Sequence, residues 1–221
     1  RFMIMGLRLR MLSWWTPEWF LKKSLDILAD STINGLGKLL NEYSPLENDE
    51  GERNYKLNKK IILKEIILKG ELDEKRIEMA KNHNKVVKTL IKIMGPDEAI
   101  YRGRKAMYHE GLLLGQRFKR LLGVGEDPKD LINAARIMYT VLGIDFEVEE
   151  YGKDEMIMVV THCSLANNYN SSTCKILSAA DEGVVQGLNP NIHMKFVKRI
   201  TQGHDHCLAS IKMNHPLKSS K

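Results

Sequence analysis

Apolar residues recur in two rhythms along this chain, and the change of rhythm falls near Gly143. Before it, spacings of three and four dominate. Leu21, Leu25, Leu28, Leu36 and Leu39 share one face of a helix predicted over 17–43, which Gly35 and Gly37 are expected to interrupt. Ile77, Ala80, Val87, Leu90, Ile91 and Met94 mark another helix, expected to start at an Asp73 cap and to stop at Gly95-Pro96. Pro96-Asp97 opens the longest one, to about Leu122, with Ile100, Met107, Leu114, Phe118 and Leu121 along one side. Its Gly103, Gly111 and Gly115 each cost about 1 kcal/mol of helix propensity relative to Ala, so they are expected to admit another backbone. Asp127-Pro128 caps and opens a further helix that Gly143 stops in a left-handed turn.

After Gly143 the period becomes two. Ile144, Phe146 and Val148 alternate with acidic residues, Gly152-Lys153-Asp154 turns the chain, and Met156, Met158 and Val160 return as a hairpin. A helix capped by Ser171 or Ser172 runs to about Leu188, where Asn189-Pro190 ends it. A second hairpin follows, from Ile192 through Gly203 to Met213. Helices first and two hairpins afterwards predict an α+β fold with an antiparallel sheet and an inserted helix. The polar stretch 44–54, broken by Pro45 and Gly51, reads as a linker. It divides a helical N-terminal arm (1–54) from an α+β domain (55–221). Within 59–69, apolar runs around Lys64 and Glu65 fit a helical turn.

Composition narrows the class. With 221 residues, 43% hydrophobic and 28% charged, the chain can bury a sizeable core. The net charge of +6 favours polyanions, but opposite charges are interspersed. No helix-turn-helix, zinc-finger or RNA-binding signature is visible, which argues against nucleic acid. No apolar run has the length of a membrane span and the start does not read as a signal peptide, which argues against a membrane protein. Three cysteines in a chain this long fit a reduced, cytoplasmic protein. The segment with Trp14, Trp15 and Trp19 is expected to pack on the domain, on a protein partner or on a second copy in a homo-oligomer, rather than to lie on a membrane.

The chemistry concentrates at predicted strand and helix ends. Cys163 ends a strand, Cys174 lies in the first turn of a helix, and His204, His206 and Cys207 surround the last hairpin turn. Were these ends to meet, Cys163, Cys174, Cys207 and either histidine would supply a tetrahedral zinc site. The alternative is structural cysteines beside a solvated His-Asp-His turn. Cys174, near a helix N-terminus, is also a candidate nucleophile.

From Ile100-Tyr101 onward the order of features resembles a known superfamily. It runs through Gly103, Gly111 and Gly115, Leu142-Gly143, the acidic strand to Tyr151, and Thr161-His162-Cys163. It continues with Cys174, Gly183 and Gly187, Lys198-Arg199-Ile200, Gly203 and Cys207. That superfamily contains the 4-vinyl reductase-type ligand-binding domain, the TRAPP transport-particle subunits and the L-2-amino-thiazoline-4-carboxylic acid hydrolase-like proteins. The paired Cys163 and Cys174 and the run Leu188-Asn189-Pro190 are most similar to the last group. The resemblance implies a small ligand between helices and sheet, with Tyr101, Tyr108 and His109 on the glycine-bearing helix as ligand-binding candidates. It implies a hydrolase of a small heterocycle or amide, a non-catalytic sensor or carrier, or an assembly subunit. In a thiazoline ring-opening, Cys174 or a metal-bound hydroxide would attack the C=N carbon, with Asp181 or Glu182 as acid. Phe196 and Arg199 stand where the vinyl-reductase type carries zinc ligands, so that zinc does not carry over.

Overall fold

A computed structural model describes residues 9, 11–12, 14–43, 68–125, 127–151 and 154–214. The expected linker over 44–54, most of the helical turn over 59–69 and Gly152-Lys153 lie outside the described residues. Four helices come first: α1 (Glu18–Glu42), α2 (Leu72–Met94), α3 (Pro96–Leu122) and α4 (Pro128–Leu142). The hairpin of β1 (Ile144–Glu150) and β2 (Glu155–Cys163) follows, then α5 (Ser171–Leu188). β3 (Ile192–Lys198), a short 3-10 turn (Ile200–Gln202) and β4 (Cys207–Met213) close the fold. The sheet order is β1-β2-β4-β3, antiparallel throughout. This is the α+β architecture that the two rhythms predict.

The sheet buries one face. Met156, Met158 and Val160 of β2 pair with Ile211, Ala209 and Cys207 of β4, and all six side chains are buried. Met194 and Phe196 of β3 extend that face. Helices cover it, and α1 joins the same core through Leu25, Leu28, Ala29 and Ile33. Gly35 and Gly37 do not interrupt α1; both are buried, and Gly35 packs against Met107 and Glu110 of α3.

Two caps differ from expectation. α2 starts at Glu71, not Asp73: the Glu71 side chain accepts from the Glu74 backbone, and Glu74 Oε2 accepts from the Glu71 N–H at 2.9 Å. Asp73 pairs instead with Arg76 at 2.6 Å. That guanidinium donates to the carbonyls of Thr140 and Val141, satisfying the end of α4. α5 is capped by Asn170, whose side chain accepts from Thr173 N–H at 2.8 Å, so Ser171 is its first helical residue.

The tightest packing joins α3 to α5. A Cβ on Gly111 would collide with the Ala180 carbonyl oxygen, and one on Gly115 with that of Val184. In return, a Cβ on Gly183 would meet the Tyr108 carbonyl, and one on Gly187 the Leu112 carbonyl. Two glycine pairs at four-residue spacing face each other, so the helices touch backbone to backbone, close enough for Cα–H···O contacts. The α3 glycines therefore make room for α5.

Candidate functional site

Between α5, the helices α1, α2 and α4 and the sheet lies a cavity of about 130 Å³. That is close to the roughly 150 Å³ cavity known to admit benzene. Its walls are mainly apolar, with Leu28, Met79, Leu114, Val160, Val184 and Leu188 among them. Into this apolar space project a few polar groups, and their partners decide what the cavity can hold.

Cys163, Cys174 and Cys207 all line it. The ends of β2 and β4 and the start of α5 do converge, because Val160 pairs with Cys207 and α5 follows β2 after one short loop. The histidines do not join them. The chain reverses at Gly203 with φ +88°, which leaves His204 exposed and His206 half-buried outside the cavity. Among the described residues no three His, Cys, Asp or Glu side chains are placed to hold one metal ion. The expected ligand set Cys163, Cys174, His204, His206 and Cys207 is thus split between the cavity and the surface, and it does not fit zinc.

Burial governs the thiols. It pushes Cys163 up to about 11 and Cys174 and Cys207 upward as well. At Cys174 the Thr201 hydroxyl and the Arg199 guanidinium pull the other way without overcoming it. The thiolate expected from the helix N-terminus is therefore opposed by desolvation.

Asp181 and Glu182 are neighbours with opposite surroundings. Asp181 lines the cavity and makes no hydrogen bond or ion pair among the described residues. Burial raises its carboxyl to about 7; Glu182 pushes the same way and Arg199 against. Glu182 points away and is fully engaged. Its Oε2 pairs with Arg104 Nη2 at 2.8 Å, and its Oε1 accepts from the Phe196 N–H at 3.2 Å. It pins β3 to α5 and is not placed to serve as a free acid.

Arg199, 6% exposed, is the buried cation of the cavity. Its Nε and Nη2 both donate to Ser178 Oγ, at 3.1 and 3.0 Å, and its guanidinium lies 5.5 Å from the centre of the Phe196 ring. It has no ion-pair partner among the described residues. A neutral hydroxyl does not compensate a buried charge, so the site is electrostatically suited to an anion. The Tyr139 hydroxyl, also on the cavity, is buried without a hydrogen-bond partner among the described residues.

The three ligand-binding candidates on α3 lie elsewhere. Tyr101 is 64% exposed, His109 is exposed, and Tyr108 packs against the second core cluster around Met107 and Ile176. None lines the cavity, which α3 reaches through Leu114 instead. Sequence reasoning passed over Tyr139, His83 and Tyr169. The first two had a signal: His83 falls on the apolar face with Ala80 and Val87, and Tyr139 on that with Ala135 and Leu142.

Comparison with solved structures gives the fold. A trafficking protein particle complex subunit 3 from Naegleria fowleri, covalently bound to palmitic acid, has a TM-score of 0.53 and 16% identity. The match covers 65% of this chain and 98% of that one. The phenol-responsive sensory domain of the transcription activator PoxR, with phenol, follows with a TM-score of 0.49, 13% identity and coverage of 68% and 77%. An Fe(II) unliganded H-NOX protein from K. algicida has a TM-score of 0.45, 12% identity and coverage of 88% and 99%. No curated protein matches the chain. Residues 75–210, which include every residue of the cavity's polar lining except Thr32, match a family of L-2-amino-thiazoline-4-carboxylic acid hydrolases, and on this match over more than half its length the chain belongs to that family.

Proposed function

We propose that the cavity binds a single-ring small molecule bearing a carboxylate and a basic or amide-like nitrogen. The observation that carries this is the pairing of a buried Arg199 lacking an anionic partner with an unpartnered Asp181 in an otherwise apolar space. Arg199 would take the carboxylate and Asp181 the nitrogen. L-2-amino-thiazoline-4-carboxylate has both groups on a five-membered ring, and its size suits a cavity of about 130 Å³.

Hydrolysis of that ring would use the Asp181 carboxyl, whose value near 7 suits both halves of a proton transfer. Water adds to the C=N carbon and gives a proton to the Asp181 carboxylate, while the C=N π pair moves to the ring nitrogen. That nitrogen pair re-forms the C=N bond as the carbon–sulfur bond breaks, the carbon–sulfur pair goes to sulfur, and Asp181 returns the proton to the thiolate. The added hydroxyl of the resulting isourea passes its proton to the nitrogen, so the product carries a carbamoyl group on nitrogen and a free thiol. Cys174 as the attacking nucleophile is the variant of this scheme, and a non-catalytic sensor or carrier is the reading without the chemical step.

Calorimetry and product analysis with L-2-amino-thiazoline-4-carboxylate test the proposal. Arg199→Met is expected to weaken binding at least tenfold, and Asp181→Asn to abolish turnover. Turnover retained by Cys174→Ala assigns water as the attacking group; its loss assigns the thiol. Binding without turnover assigns a sensor or carrier, and no binding by the wild type refutes the site. A partner-binding role rests on a separate observation: Trp14, Trp15 and Trp19 are 91%, 69% and 67% exposed. Replacing all three by Ser is expected to lower the mass measured in solution if they join copies of this chain.

A further inference from the structure

The cavity has a second polar wall, built by three elements distant in sequence. Thr32 of α1, His83 of α2 and Tyr169 of the loop before α5 all line it. Thr32 Oγ1 lies 2.8 Å from His83 Nε2, and His83 Nδ1 lies 2.7 Å from the Tyr169 hydroxyl. Neighbouring Asn84 fixes the loop. Its Nδ2 donates to the Asn168 carbonyl at 2.5 Å, and its Oδ1 accepts from the Asn170 N–H at 3.3 Å. The position of Tyr169 is therefore clamped on both sides.

The heavy-atom distances favour one arrangement of the protons. Thr32 Oγ1 lies 2.8 Å from the Leu28 carbonyl oxygen and 3.1 Å from that of Ala29. A carbonyl only accepts, so the single hydroxyl proton of Thr32 points to the helix backbone. Its oxygen must then accept from His83 Nε2–H. A neutral imidazole protonated on Nε2 has a bare Nδ1, so Tyr169 must donate its own proton there. His83 is 1% exposed, and burial keeps it neutral. The Tyr169 oxygen is left with lone pairs and no proton to give.

We propose that this relay makes Tyr169 an obligate hydrogen-bond acceptor, so that the cavity selects ring ligands that present an N–H or O–H to it. Thr32 and His83 act as positioning residues: they set the direction of the Tyr169 hydroxyl. The inference rests on the cavity being a ligand site, and it adds a specificity that Arg199 and Asp181 do not provide.

Pyrrole and oxazole are matched neutral five-membered rings, the first a donor without an acceptor nitrogen and the second an acceptor without a donor. In the wild-type protein pyrrole is expected to bind about fivefold more tightly than oxazole, the scale of one neutral hydrogen bond. Thr32→Val keeps the side-chain shape but removes the acceptor for Nε2–H. The His83 proton then moves to Nδ1, Tyr169 becomes a donor, and the preference is expected to reverse toward oxazole. Nitrogen-15 shifts of the His83 ring report the tautomer directly: Nε2–H in the wild type and Nδ1–H in the variant. A role in packing alone would move neither the preference nor the tautomer. Equal affinity for both rings, or a wild-type His83 protonated on Nδ1, overturns the relay while leaving the cavity a ligand site. Binding of neither ring by the wild type, with L-2-amino-thiazoline-4-carboxylate also failing to bind, overturns the ligand-site reading and the relay's role with it.

Discussion

Replacing Asp181 by Asn should change the pH dependence of stability in a defined direction. Burial raises the Asp181 carboxyl from 3.8 to about 7 in the folded protein. Between those values the native state holds a proton that the unfolded chain has lost, so stability falls as pH rises. Each pH unit is worth about 1.4 kcal/mol, and the whole interval about 4 kcal/mol. His83 acts in the opposite sense: burial lowers it from 6.5 to about 3, so stability falls as pH drops through that range. The two windows overlap between about pH 4 and 6.5, and their slopes offset each other there. Asn cannot ionise. Its stability relative to wild type should therefore be level below pH 4 and climb through the window. The gain should level off above pH 7 at up to about 4 kcal/mol, less whatever water in the cavity screens. Urea melts of both proteins at pH 4.5, 6.0 and 7.5 measure it through their midpoints. A difference between the two proteins that is constant from pH 4 to 8 would refute a carboxyl held protonated by burial.

The other predictions address packing and reactivity. Gly111→Ala drives a methyl into the Ala180 carbonyl and should cost about 3 kcal/mol. Gly103→Ala meets only the Ile176 side chain, at 3.0 Å, and should cost distinctly less; equal losses in thermal melts would contradict backbone-to-backbone contact. Glu182→Leu takes the ion-pair partner from Arg104, which keeps only the Lys175 carbonyl, leaves the Phe196 N–H unpaired, and should cost about 3 kcal/mol. Adding Arg104→Met should recover part of that, and a strictly additive double-mutant cycle would show no coupling. Cys163, raised to about 11, should alkylate at pH 8 about a hundredfold more slowly than a free thiol. Labelling at the rate of a free thiol, followed by mass spectrometry, would contradict its burial.

Local chemistry was legible where one residue suffices to dictate geometry. Gly143 adopts the left-handed φ of +67° that ends α4, and Asp127 caps that helix through the Lys129 N–H. The start of α2 was not legible, because its reciprocal cap is made by two glutamates rather than by Ser, Thr or Asp. Convergence of the cysteines followed from strand and helix ends. Their chemistry did not, because desolvation depends on what the rest of the chain packs around them. Arg199 stood out as a departure from a zinc-bearing pattern, but its partner Ser178 lies 21 residues away on another element. His83 meets Thr32 across 51 residues and Tyr169 across 86, so no periodicity of the sequence reveals that relay.

The glycine seam between α3 and α5 has a mechanical consequence. Side chains between helices act as compressible spacers, since rotamers can shift; two backbones in contact have no such slack. α5 is therefore braced against α3 on one side while it lines the cavity on the other. A change in cavity volume cannot be absorbed by pushing α5 outward. It must be taken up by the sheet or by α1, α2 and α4, which meet the cavity through ordinary side chains. The molecule thus has one stiff wall and several yielding ones, and displacement caused by an occupant is channelled toward the N-terminal helices and away from α3.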